Sequence, residues 1–429
     1  MSQPERYDLA VIGTGLAGMA AAVFASSRGL RVVQAGSTGA ISYTSGVFDV
    51  LGALPATQEG RPARPVERPF EALPELLRDE PGHPYALLDP EDIRLAFHEL
   101  MDFLRGAGLP YRAGGERNFL LPTPAGTLKH SWCVPETALP GCEALAQGAP
   151  ACIVAIEGMK GFSARQVAVN LAPHWPGLTT ARVAMPGHPG GEVYPEQVAR
   201  MLEVPAARKA LAEALAPLLG QARVVGLPAV LGMHRPGDVA ADMERLLGRP
   251  VFEIPTMPPG VPGIRLKETF EGLLPGRGVA LFCQQKMVGP LPAPGEPFRL
   301  RVAGQPVEHH VLADRALLCS GRFLGGGLGG LRGRPLTETV FGLPVAQPED
   351  RAQWYRQDYL DPRGHAVHRA GLRVDAALRP LGRDGAPAHE GLYAAGSILA
   401  GQDWIRMKCG AGVAIATAFK AVTTLAGAR

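Results

Sequence analysis

A short apolar run at residues 7–12, Tyr-Asp-Leu-Ala-Val-Ile, ends directly in Gly13-Thr14-Gly15-Leu16-Ala17-Gly18, and no other stretch constrains the fold as tightly. In a Gly-x-Gly-x-x-Gly turn between strand and helix, the first glycine permits the tight turn. The second lets backbone approach a pyrophosphate, and the third lets the helix pack closely on the strand. A helix of small residues over 19–27, stopped by Gly29, and a second strand over 31–34 complete a β-α-β unit. The helix start offers N–H groups and a partial positive charge to phosphate. In a chain with 54 glycines the spacing alone is a weak sign. Its place after a strand, before a helix and near the start of the chain makes it a nucleotide-binding turn, with Gly13, Thr14, Gly15, Leu16, Ala17 and Gly18 as cofactor-binding candidates.

The acidic residue that commonly holds a ribose should close the second strand. That region reads Val32-Val33-Gln34-Ala35-Gly36, so the carboxylate is missing and Gln34 is the residue left to hydrogen-bond a ribose hydroxyl.

The 429 residues suit two or three domains with ample buried core. A net charge of +3 lacks the basic field that nucleic-acid binding needs, while a few local Arg and Lys residues suffice for a small phosphorylated or carboxylated substrate. The six cysteines, at 133, 142, 152, 283, 319 and 409, show none of the clustering that iron–sulfur or zinc sites require. With no basic start followed by an apolar segment and cleavage site, the expected compartment is reducing cytoplasm. Residues 410–428 approach the length of a spanning helix but are interrupted by Lys420, and read as a core helix.

From 54 to 84 the chain is rich in Pro, Arg and Glu without sustained period, which reads as a surface excursion out of the first domain. Asp89-Pro90-Glu91-Asp92 then opens a helix with Ile93, Phe97, Leu100 and Leu104 on one face, ended by Gly106. Strands over 152–156, 224–227 and 251–254 alternate with helices over 163–171 and 195–219, the pattern of a second α/β domain. After a helix at 266–274, strands over 279–282, 299–302, 308–312 and 316–319 return the chain to its first sheet. The expected architecture is α/β: a Rossmann-like domain from residues 1–84 and 261–429, with an inserted α/β domain over 85–260.

Two late segments resemble the superfamily of the fumarate reductase flavoproteins. Ala316-Leu317-Leu318-Cys319-Ser320-Gly321 is similar to its strand ending in a small-Gly turn. Gly391-Leu392-Tyr393-Ala394-Ala395-Gly396-Ser397 is similar to the motif that closes over the ribityl chain and leads into the last helix, here Gly410-Ala411-Gly412-Val413 onward. The resemblance implies a flavin domain, in which a glycine-rich helix start stabilises negative charge on the reduced ring. Ser320, Gly321, Gly396, Ser397, Gly410 and Gly412 join the cofactor-binding candidates.

Longer segments resemble one family throughout the chain. Ser42-Tyr43-Thr44-Ser45-Gly46-Val47-Phe48-Asp49-Val50-Leu51, His83-Pro84-Tyr85-Ala86-Leu87-Leu88 and Pro124-Ala125-Gly126-Thr127-Leu128 are similar to the B subunits of the anaerobic glycerol-3-phosphate dehydrogenases. So are Pro255-Thr256-Met257-Pro258-Pro259 with Gly263-Ile264-Arg265-Leu266, Gly325-Gly326-Gly327-Leu328 after Ser320-Gly321, and Cys409-Gly410 after Gly396-Ser397-Ile398-Leu399. Ser45 and Gly46 enter the cofactor-binding set from the first of these.

The resemblance implies a flavoprotein oxidoreductase subunit for oxidation of sn-glycerol 3-phosphate to dihydroxyacetone phosphate, with electrons passed toward quinone. It also implies a second flavoprotein subunit and an iron–sulfur subunit as partners, the latter linking the complex to the cytoplasmic face of the membrane. It implies FMN, whereas the glycine turn favours FAD because FMN has no pyrophosphate. Oxidising a secondary alcohol needs a base, access to the flavin and cations for the phosphate. Lys129, His130, Arg265, Arg379, Arg406 and Lys408 lie in or beside the family-like segments and are the catalytic candidates. His309 with His310, and His365 with His368, lack an accompanying carboxylate cluster, so no metal site is assigned. Two other readings stay open: a non-redox structural subunit with a degenerate nucleotide site, and a stand-alone flavin oxidoreductase acting on another hydroxy acid or ketone.

Overall fold

A computed structural model describes residues 5–37, 39–304 and 308–427; the reading of the N-terminus partly concerns residues 1–4, which lie outside that set. The chain forms two compact units. One comprises Met1–Ala40, Asp49–Leu100 and Phe270–Arg429, the other Ile41–Phe48 and Met101–Thr269. Both are α/β, the class the sequence suggests.

The first unit is built on a seven-stranded sheet. Its order is Val279–Cys283, Val32–Gly36, Glu5–Ile12, His309–Leu318, Phe298–Ala303 and Lys286–Val288, with Leu392–Ala394 also beside His309–Leu318. The opening strand Glu5–Ile12 is parallel to both neighbours, and its Leu9, Ala10 and Val11 are wholly buried, as expected of a central strand covered on both faces. His309–Leu318 changes partner along its length on one edge. Its first half pairs antiparallel with Phe298–Ala303, and its last three residues pair parallel with Leu392–Ala394. The parallel strands thus deliver Ile12, Leu318 and Ala394 to one end of the sheet, where the glycine-rich turns begin.

The first helix, Leu16–Ser27, is buried from Ala17 to Ala25 because its side chains are almost all small. The final helix, Gly410–Gly427, packs against it, with Phe24 and Phe419 edge to face at 5.3 Å. By length and apolarity the final helix would pass for a spanning segment, yet 61% of it is buried inside the fold, the behaviour of a core helix.

In the second unit, four parallel strands run in the order Leu178–Val183, Ala151–Ile156, Val224–Pro228, Val251–Ile254. Side-chain alternation divides its core in two. Cys152, Val154, Val225, Leu227 and Val251 face the helices Pro205–Leu215 and Pro236–Leu247. Ala151, Ile153, Val224, Phe252 and Ile254 face Leu139–Gln147 and Ala164–Leu171.

Two local expectations differ from the structure. The stretch read as a surface excursion contains the helix Pro69–Asp79, whose Leu73 and Leu76 are buried; Pro69 opens it and Pro74 lies inside it, which obscures the helical period. The helical stretch 195–219 is interrupted, with Pro195–Met201 followed by Pro205–Leu215, because Pro205 starts a new helix.

Candidate functional site

The turn after the opening strand gives each glycine a separate reason. Gly13 has φ +131°, and a Cβ there would lie 2.2 Å from the carbonyl oxygen of Cys319, so only glycine fits. A Cβ on Gly18 would lie 2.0 Å from the Gly13 carbonyl oxygen, which lets the helix sit directly on the turn. Gly15 is different: its backbone is ordinary, at φ −77°, and a Cβ would meet nothing within 4 Å. Gly15 is also the N-cap of the first helix, which has no side-chain cap. An uncapped helix start facing open space is a place for phosphate.

Gln34 does not face that space. It is fully buried under the turn, and its Nε2 donates to the Gly13 carbonyl at 2.8 Å, so it supports the turn rather than offering itself to a ribose. At the end of the same strand a Cβ on Gly36 would lie 2.4 Å from both the backbone nitrogen and Oγ1 of Thr14. The buried Thr14 occupies the room a longer residue would need, which is the physical reason that no acid stands there.

Three later segments come to the same end of the sheet. The Cys319 N–H donates to the Ile12 carbonyl at 2.9 Å, placing Ser320 and Gly321 beside the first turn; Ser320 Oγ is buried without a hydrogen-bond partner. A Cβ on Gly321 would lie 3.6 Å from Ser397 Oγ. Gly396 has φ +80°, donates its N–H to Thr417 Oγ1 at 2.8 Å, and would place a Cβ 2.6 Å from that of Ala17. Gly412, expected at the flavin, is instead occupied with packing. Its N–H donates to the Asp49 carbonyl at 2.7 Å, and a Cβ would lie 2.1 Å from the Tyr85 hydroxyl. That hydroxyl donates to the Val50 carbonyl at 2.7 Å, so three of the family-like segments meet at one point.

Sequence reasoning missed the residue that ties these loops together. Arg322, 7% exposed, donates from Nε to the Ser397 carbonyl at 2.7 Å and from Nη2 to those of Leu399 and Gln402, while Nη1 serves the carbonyl of His368. Burial pulls its pKa down to about 10, which leaves it charged at neutral pH. Its position directly after Ser320-Gly321 is the one signal in the sequence. Also missed was Asp403, whose Oδ1 accepts the Arg406 N–H at 3.2 Å and whose Oδ2 lies 3.7 Å from His368 Nδ1. Burial would raise the Asp403 pKa, but the imidazole of His368, the Arg406 N–H and Arg369 hold it below the usual value.

The catalytic candidates fall in both units. In the first, Arg379 is bound to Asp375 at 2.8 Å, Arg406 donates to the Tyr359 carbonyl at 3.2 Å, and Lys408 adopts a left-handed backbone at φ +51°. In the second, Lys129 and His130 are half-buried on the strand Leu128–Ser131. Arg265 is 4% exposed, clamps Glu253 with two bonds of 2.7 and 2.8 Å, and donates Nε to the Gly232 carbonyl. Each nitrogen of its guanidinium donates within the fold, so Arg265 is a buried brace for Glu253. Ser45 and Gly46 also belong to the second unit, where the Gly46 carbonyl accepts from the Tyr111 hydroxyl at 2.7 Å. Among the described residues, no group of three or more His, Cys, Asp or Glu is arranged to hold a metal ion.

The open space over Gly15, the uncapped helix start and the unpartnered Ser320 Oγ suit a phosphate-bearing cofactor, and this arrangement at the carboxyl end of a parallel sheet is that of a dinucleotide-binding flavoprotein. The sequence matches the family described as FAD binding domain over residues 8–413. The B subunit of the anaerobic glycerol-3-phosphate dehydrogenase from Pectobacterium atrosepticum is 31% identical, over 96% of this chain and 97% of its own length. Its namesake from Vibrio cholerae is 31% identical over 97% of this chain and 95% of its own. The one described as probable from Halobacterium salinarum is 30% identical over 98% of each. The chain belongs to the FAD-binding-domain family and, within it, to the family of anaerobic glycerol-3-phosphate dehydrogenase B subunits. A solved 3-ketosteroid Δ1-dehydrogenase from Sterolibacterium denitrificans is similar over 99% of this chain and 100% of its own, at 13% identity and TM-score 0.41.

Proposed function

We propose that this chain is the flavin-bearing B subunit of a complex that oxidises sn-glycerol 3-phosphate to dihydroxyacetone phosphate and passes electrons toward quinone. The observation that carries the reading is similarity at about 31% over nearly the full length of relatives with that name. Neither alternative, a structural subunit or a stand-alone oxidoreductase on another substrate, is favoured by it. The partners in this reading are a second flavoprotein subunit and an iron–sulfur subunit, through which the chain is held at the cytoplasmic face of the membrane.

Flavin binding is assigned to the unit with the seven-stranded sheet. The inserted α/β domain expected over 85–260 corresponds to the other unit only from residue 101, since residues 85–100 group with the first unit and 41–48 and 261–269 with the second. FAD is the flavin the site suits better than FMN, since the space over Gly15 admits a pyrophosphate. Residues 13–18 and the start of the first helix hold the phosphates, and Ser320, Gly321, Gly396 and Ser397 line the path beyond them. Arg322 keeps that path shaped by fixing the carbonyls of Ser397, Leu399 and Gln402. When bound, the flavin supplies a hydride acceptor.

A visible spectrum of the purified protein, followed by acid release and chromatography of the cofactor, tests the reading. Near-stoichiometric FAD and oxidation of glycerol 3-phosphate by the protein with its co-purifying subunits are expected. Colourless protein that takes up neither flavin overturns it.

A further inference from the structure

We propose that His368 is the proton acceptor of this oxidation, taking the substrate hydroxyl proton on Nε2, and that Asp403 holds it in position; this rests on the reading given under Proposed function. The starting observation is a pair of buried atoms without hydrogen-bond partners, His368 Nδ1 and Asp403 Oδ2, which face each other at 3.7 Å. The Asp403 side chain is 1% exposed and satisfies only one oxygen, through the Arg406 N–H. A buried carboxylate oxygen with no donor is costly, and the donor beside it is an imidazole nitrogen that serves it in one tautomer only, the one protonated on Nδ1. A shift of less than an ångström closes the gap to hydrogen-bond length.

In that tautomer the lone pair lies on Nε2. The His368 side chain is 26% exposed although Nδ1 is covered, and Nε2 makes no hydrogen bond among the described residues. The accessible side of the ring is therefore the basic one. The pair sits on the perimeter of the cofactor site: Arg322, next to Gly321, binds the carbonyls of both His368 and Ser397, and Asp403 lies between Gly396 and Gly410 in the chain. The groups facing the imidazole are Asp403 and the His365 ring, perpendicular at 5.2 Å. Arg369 and Arg406 act on the carboxylate behind it, and Arg322 binds the backbone.

The chemistry balances. The substrate O–H bond breaks with its proton going to Nε2, and the electron pair left on oxygen becomes the second C–O bond. The hydrogen on the carbinol carbon leaves as hydride with two electrons, and the flavin is the oxidant. Asp403 stays charged and stabilises the imidazolium. Asp403 is thus a positioning residue, and His368 the one that meets substrate.

The test uses the protein with its co-purifying subunits. His368→Gln is expected to lower kcat by about 10²–10⁴-fold and to remove the acidic limb of the kcat/KM pH profile, with flavin content unchanged. Asp403→Asn is expected to lower kcat by less than His368→Gln does, again with flavin content unchanged, since it loosens the imidazole without removing it. A readout independent of turnover is the 15N spectrum of histidine-labelled protein without substrate, in which one of 11 histidines is assigned to His368 by its loss in His368→Gln. An Nδ1–H tautomer that Asp403→Asn abolishes supports the pair, and an Nε2–H tautomer at pH 7 overturns it; should His368→Gln not fold, loss of the same signal in His368→Asn gives the assignment. Wild-type turnover of glycerol 3-phosphate with an unchanged pH profile in His368→Gln sinks this proposal while leaving the assigned activity intact. Wild-type protein that binds flavin but never oxidises glycerol 3-phosphate sinks that activity instead.

Discussion

The Gln34 amide donates to the Gly13 carbonyl at 2.8 Å from a fully buried position beneath the glycine turn. A glutamate here, which sequence logic would offer as a restored ribose acid, cannot donate and would bring a charge to a buried carbonyl. Gln34→Glu is therefore expected to cost about 2 kcal/mol or more and to lower flavin occupancy. Thermal melts and flavin titration of the variant check this. Tighter FAD binding in Gln34→Glu would mean that the residue reaches the ribose after all.

Two glycines of the same turn should separate folding from binding. Gly15 has ordinary backbone angles and open space above it, so Gly15→Ala should leave the melting of flavin-free protein nearly unchanged, within about 0.5 kcal/mol. Flavin affinity should fall by about tenfold or more, as a methyl group enters the phosphate space. Gly13→Ala should fail at the earlier step, because φ +131° and the Cys319 carbonyl exclude any side chain. Equal stability losses in the two variants would remove the distinction.

In the second unit, Arg265 and Glu253 are a buried pair with Thr137 and the Leu231 N–H completing the carboxylate's bonds. Arg265→Met alone should cost about 3–5 kcal/mol in urea unfolding, and the double change with Glu253→Met should recover much of it. Burial pushes the Glu253 pKa upward, but Arg265 and the hydrogen bonds outweigh it and hold the value below 4.5. This group's contribution to stability is accordingly present above pH 4.5 and lost as the pH falls below it. Normal folding of Arg265→Met with a raised KM would return Arg265 to the substrate site.

His83 provides the opposite charge type with the same direction in pH. Burial, with help from Arg369, drops its pKa from 6.5 to about 3, so the folded state stays neutral where the unfolded chain takes up a proton. Stability should therefore weaken by about 1.4 kcal/mol for each pH unit below 6.5 until about 3 is reached. Unfolding curves between pH 7 and pH 5 should be flatter for His83→Asn than for the parent protein, and identical slopes would contradict the assignment.

The β-α-β opening was legible because a glycine turn between two apolar runs admits few other structures. Continuity was harder to see. His309–Leu318 is one strand, although Asp314 and Arg315 break its apolar pattern; Asp314 pairs with Arg6 of the adjacent strand at 2.6 Å, so the interruption is a cross-strand ion pair rather than a turn. Burial of charge was not legible at all. Arg265 and Arg322 look alike in the sequence, each one or two residues after a glycine and in or beside a family-like segment. One braces a carboxylate in the second unit and the other gathers carbonyls beside the cofactor turns. Only the packing around each distinguishes them, and packing depends on residues far away in the chain.

Arg322 has a consequence for how the site comes into being. Because one cation serves carbonyls at 368, 397, 399 and 402, none of these loops can settle alone without leaving donors or acceptors unmet in the interior. The loops gain or lose their shape as a set, as stones do around a keystone. A graft that moved one of them into another scaffold would carry over its amino acids but not its conformation, unless the guanidinium and all four carbonyls moved with it.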